Sequence, residues 1–87
     1  MKNKSHGNKK LIIKERKLGQ HKAWGLFWHA SKKIEIDPNQ LSKHYLYVLV
    51  HELLHMTFPE LTEDGVIRAA KIITKGVWQQ GYRRTYK

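Results

Sequence analysis

The chain has 87 residues, no cysteine and a formal charge of +10, with an isoelectric point near 10.0. That length suits one small domain with a modest core, of the kind often helped by a bound metal or partner. The missing cysteines exclude a disulfide framework and any thiolate metal site, so a metal here must be held by His, Asp, Glu and water. The apolar runs fall well short of the roughly 20 residues of a membrane span. The basic balance favours acidic partners, nucleic acid among them.

Residues 1–9 read as a basic flexible tail, residues 10–82 as a single folded domain and residues 83–87 as a basic C-terminal tail. The start of the chain resembles the basic region of a signal peptide. The apolar run behind it, Leu11-Ile12-Ile13, is too short to serve as its hydrophobic core, which implies a cytoplasmic protein (host cytoplasm if phage-encoded) and no membrane partner. A first strand is expected within residues 10–17. Gly19 and Gln20 mark a turn, and residues 21–30, with Trp24, Leu26, Phe27 and Trp28, suit a second strand. Three of its aromatics, Trp24, Phe27 and Trp28, are expected in the core. After a turn at Ser31-Lys32-Lys33, Ile34-Glu35-Ile36 alternates as a short third strand should.

Helical signals dominate the second half. Asp37 is a suitable N-cap, Pro38 fits the first helical position, and Gln40 stands three residues after the cap, which predicts a helix from Pro38 to about Thr57. Phe58-Pro59 ends it. Thr62 is the next N-cap, with Glu63 and Asp64 in the first turn where the helix dipole favours carboxylates. Val66, Ile67, Ala70, Ile73, Val77 and Trp78 then form the apolar stripe of a second helix reaching about Gln80. The expected fold is α+β, a small antiparallel sheet of about three strands followed by two helices.

The most informative segment lies in the first helix. His51-Glu52-Leu53-Leu54-His55 is an HExxH motif. Residues four apart on a helix are separated by about 40° around the axis and about 6 Å along it. Both imidazoles can therefore bind one ion, and Glu52 can take a proton from a water beside it. Leu46, Val48, Leu49, Val50, Leu53 and Leu54 surround the motif, so a buried helix is expected, in which unpaired charge would be costly. A catalytic zinc usually has three protein ligands and an open position. His44 lies about 10 Å along the axis from His51, too far for the same ion. No ligand type follows Asp64, which leaves Glu63 as the leading third ligand, Glu60 as the next choice and Asp64 behind it.

Taken together, the WGLFWH and KKIEID segments followed by HELLH and FPELTED resemble the minimal zincin-type metallopeptidases of phage and bacterial genomes, and more distantly SprT-like proteases. The resemblance spans roughly residues 10–80. It implies a zinc cofactor, a protein or peptide substrate, and a strand beside the HExxH helix along which extended substrate lies, a role that would fall to Ile34, Glu35 and Ile36. The metzincin histidine six residues after His55 is replaced by Leu61, and no glutamate stands at the gluzincin spacing. Two other functions fit the basic composition: a metal-dependent nuclease, and a zinc-stabilised nucleic-acid-binding module that engages its partner through the basic tails, with Lys71 and Lys75. Tyr82 and Tyr86 are candidate oxyanion donors.

Overall fold

The protein is described from a computed structural model over residues 10–19 and 23–85. The strands are β1 (Ile12–Glu15), β2 (Gly25–Trp28) and β3 (Lys33–Ile36), followed by helices α1 (Ser42–Thr57) and α2 (Glu63–Gln79). The expected α+β order of three strands and then two helices is present. The first tail, residues 1–9, lies outside the described residues, as do Gln20, His21 and Lys22 of the expected first turn and second strand, and Tyr86.

Strand order differs from a simple antiparallel meander. The sheet runs β1–β3–β2, with β2 antiparallel to β3 and β1 parallel to it. The sheet is therefore mixed, and β3 is its centre. Ile34 and Ile36 have no solvent exposure and face α1, where they form a core with Val48. Phe27, Tyr45, Leu49, Leu53 and Met56 pack around that core. On the opposite face Glu35 is also buried. It accepts from Arg16 at 2.9 Å and from Trp28 Nε1 at 3.2 Å, with Lys33 Nζ at 3.8 Å. The Arg16 guanidinium, before the other contacts, holds the Glu35 carboxyl below the usual carboxylate range. Trp24 and Trp28 are about half exposed and outside the core, whereas Phe27 packs against it.

Helix α1 starts four residues later than its capping signals imply. Its N-cap is Leu41, without a side-chain cap. Asp37 instead accepts the backbone N–H of Leu18 at 2.8 Å and of Asn39 at 2.9 Å. A tertiary contact has taken the carboxylate that would have capped a helix. It anchors Leu18, which is fully buried, beside the sheet. The helix is also less enclosed than its leucines suggest, since Val48 alone among its residues is fully buried.

Helix α2 begins where expected. Thr62 Oγ1 accepts from the Gly65 N–H at 3.1 Å, and Glu63 and Asp64 occupy the first turn. Its buried stripe is Val66, Ala70 and Thr74, while Ile73 is exposed. Gly81, at φ 85°, closes the helix: its N–H donates to Trp78 O, and that of Tyr82 to Val77 O. A left-handed residue there favours glycine. Beyond it, Arg83 stacks on Trp78 at 3.5 Å, and Arg84 lies over Tyr45 and pairs with Glu15. These two arginines fold back on the domain. No described helix is long and apolar enough to cross a membrane.

The two backbone N–H donors, Leu18 first, hold the Asp37 carboxyl below the usual carboxylate range. A depressed native value contributes stability above the unfolded pKa of about 3.9, and that contribution is lost as pH falls through the native value. Asp37→Asn should lower the thermal midpoint at pH 7 and shrink the drop between pH 7 and pH 3. Melts at the two pH values check this; an unchanged pH 7 midpoint would rule out the anchor.

Candidate metal centre

The motif histidines point from α1 toward the start of α2. The Phe58–Leu61 turn, closed by Leu61 N–H donating to Phe58 O at 3.0 Å, reverses the chain so that the capped first turn of α2 faces the last turns of α1. Glu63 consequently reaches both imidazoles. Its Oε1 lies 2.8 Å from His55 Nε2 and its Oε2 3.2 Å from His51 Nε2. The two Nε2 atoms are 3.1 Å apart. Among the described residues, His51, His55 and Glu63 form the group whose donor atoms could hold one ion. Glu60 and Asp64 are exposed and outside that group, as is His44, which bonds Gln40 Oε1.

The donor chemistry fits a small cation. Glu63 meets the two imidazoles through different oxygens, and one donor atom from each of the three residues lies within 4.8 Å of the others, a spread that ligands about 2.0–2.1 Å from a tetrahedral ion would tighten to about 3.3 Å. Burial holds the His51 imidazole below its ordinary pKa, and this outweighs the opposing pull of Glu63. His51 therefore favours the neutral form that ligates metals. Tyr47, one turn earlier, places its hydroxyl 3.4 Å from His51 Nδ1. A proton on Nδ1 donated to Tyr47 leaves Nε2 as a bare electron-pair donor. Tyr47 was not singled out by the motif, although its spacing of four from His51 is visible in the sequence. Phe27, also unassigned by the motif, stacks on His55 with ring centroids 5.5 Å apart and planes 6° apart, which fixes the second imidazole.

Family models, curated proteins and solved structures offer no match to this chain. The functional reading therefore rests on the geometry and on the motif.

Glu52 lies on the sheet-facing side of α1. Desolvation by burial raises its pKa, opposed by the positive pull of His55 and assisted by Glu63. Among the described residues its carboxylate takes no hydrogen bond. A desolvated, unshared carboxylate is a stronger base than an ordinary one. Its position depends on Gly25 of β2. A Cβ built there would lie 2.6 Å from Val48 Cγ1 and 3.1 Å from Glu52 Cγ.

The substrate role implied for Ile34, Glu35 and Ile36 is not compatible with the structure. These residues are buried in the central strand, hydrogen-bonded on both sides, and Glu35 is occupied by Arg16 and Trp28. The strand beside α1 with an unpaired edge among the described residues is β2. Tyr82 is also far from a catalytic role: it lines a separate cavity with Ile13, Leu46, Leu49 and Trp78, which none of His51, Glu52, His55 or Glu63 borders.

Gly25→Ala should press on Val48 and Glu52 and cost about 1–3 kcal/mol, as overpacking of a close contact does. Urea unfolding reads this as a lower midpoint at unchanged slope. A variant as stable as the parent would mean that α1 does not depend on close approach at Gly25.

Proposed function

We propose that this chain is a zinc-dependent metallopeptidase of the zincin type, with His51, His55 and Glu63 as zinc ligands and Glu52 as general base. The observation that carries the reading is the convergence of two Nε2 atoms and one carboxylate within 3.2 Å of each other, beside a desolvated Glu52. A zinc ion bound there would acidify a water and polarise a carbonyl. Glu52 takes the proton from the attacking water and delivers it to the leaving amine, so that the C–N bond breaks with the amine neutral. Tyr47 and Phe27 hold the imidazoles in place. An extended peptide can pair with the edge of β2, which has no strand partner on that side among the described residues and which lies against Val48 and Glu52.

The nucleic-acid readings, nuclease or zinc-stabilised binding module, draw on the +10 charge. They gain little from the C-terminal cations, since Arg83 and Arg84 are stacked on Trp78 and Tyr45. The peptidase accounts for Glu52 as well as for the ligands, and it stands ahead for that reason.

His51→Ala or His55→Ala should abolish zinc binding and lower the thermal midpoint, and Glu63→Ala should weaken affinity on the order of 10-fold or more. Glu52→Gln should retain zinc and fold while losing peptide hydrolysis, because an amide cannot accept the proton. Elemental analysis of protein purified without chelators and then supplied with zinc checks the ligands. A metal-free result would overturn the zinc site. Equal cleavage by parent and Glu52→Gln would remove Glu52 as the base.

A further inference from the structure

A second feature lies on the same side of α1 as the metal group. The first turns of α1 and the second half of α2 border an open groove of about 540 Å³, lined by Leu41, Lys43, His44, Tyr47, Lys71, Thr74 and Lys75. Three exposed lysines alone would be an ordinary solvated face. Here three further observations converge on them. Thr74 borders the groove, is 4% exposed, and its Oγ1, out of solvent reach, has no hydrogen-bond partner among the described residues. The first turn of α1 has no side-chain cap and no acidic residue, so its leading N–H groups and positive dipole end are not offset. Among the described residues no acidic side chain lines the groove. The lysines, the uncapped helix start and the lack of carboxylates favour an anion.

The groove also has a defined place relative to the chemistry. Tyr47 belongs to both regions, since it lines the groove and contacts His51 Nδ1. Trp24, immediately before β2, packs edge-on against His44 at 5.7 Å, which joins the groove to the end of the open strand. Along α1, His44 contacts Trp24, Val48 and Glu52 lie against Gly25, and His55 stacks on Phe27. A peptide laid along β2 thus passes the metal group at one point and leaves the strand at Trp24, beside the groove.

We propose that the groove of Lys43, Lys71 and Lys75 is a substrate subsite that selects acidic side chains on one side of the scissile bond. The inference rests on the peptidase reading for its place beside the scissile bond, while its charge preference is independent of that reading. The groove gathers Lys43 of α1 with Lys71 and Lys75 of α2 into one local cluster, which fits a side-chain carboxylate carried on an extended peptide better than a duplex backbone. Ammonium groups in such an arrangement discriminate among partners by charge complementarity.

The test uses the full chain loaded with zinc and two peptides of identical length that differ only in having glutamate or glutamine at the same flanking positions. Tryptophan fluorescence reads binding, because Trp24 contacts His44 at the groove. The glutamate peptide should bind roughly tenfold more tightly. In Lys71→Gln/Lys75→Gln the ratio should fall to about one, since both lysines are exposed and glutamine keeps helix propensity. Lys14→Gln/Lys17→Gln, which removes the same charge beside β1, should keep the ratio. No preference in the parent, or equal loss in both double variants, overturns the subsite. A single-stranded oligonucleotide that binds more tightly than the glutamate peptide, and depends on Lys71 and Lys75, reassigns the groove to nucleic acid and also overturns it. Zinc content and peptide cleavage are read separately. A chain that never cleaves, yet keeps the Lys71- and Lys75-dependent preference, defeats the peptidase reading while the groove's selectivity stands.

Discussion

The seat of Val48 above Gly25 is the constraint on which the rest of the molecule depends. Side-chain bulk at position 25 would meet Val48 Cγ1 at 2.6 Å, so the missing Cβ sets how low α1 can ride on the sheet. At that height Val48 closes the core over Ile34 and Ile36. The same approach leaves Glu52 partly desolvated against β2 and brings Phe27 flat onto His55. Core packing and site geometry are thus one arrangement, made by a single helix with a different task on each face.

The second helix contributes a different kind of order. It closes the candidate ligand group with one carboxylate, placed by a local device: the Phe58–Leu61 turn and the Thr62 cap fix where the helix begins, and so where Glu63 points. Such a ligand needs little burial. The Glu63 side chain is 60% exposed, against 15% and 22% for His51 and His55. Two half-buried imidazoles on a packed helix and an exposed carboxylate at a solvent-facing helix start divide enclosure and access between them.

What could be read from the sequence follows the range over which each signal acts. The HExxH pair depends on helical period alone, and Thr62 on the three residues after it. Glu63 emerged because the chain offers no ligand type beyond Asp64. Long-range facts were less accessible. Asp37 has every property of an N-cap, but the Leu18 N–H, nineteen residues away, claims its carboxylate. Ile34-Glu35-Ile36 alternates like an edge strand, yet Glu35 points into a cluster built from Arg16 and Trp28 on either side. Alternation reports two faces and is silent on how many neighbours a strand has. The parallel β1–β3 pair likewise leaves no local mark, since four-residue strands pair either way.

That parallel pair has a further consequence, for solubility. β1 is an outer strand whose Ile12 and Ile13, with Leu11 just before them, are each more than a third exposed. An outer strand of that composition is a template for edge-to-edge growth, and proteins suppress it with charge. Lys10 and Lys14 flank and interrupt the run, while Glu15 is tied to Arg84 and Tyr45. The clasp between the last described residues and the first strand therefore acts as a gatekeeper as well as a brace. Losing it would loosen the end of a border that is already partly exposed and invite fibrous self-association, a hazard lying away from His51, His55 and Glu63.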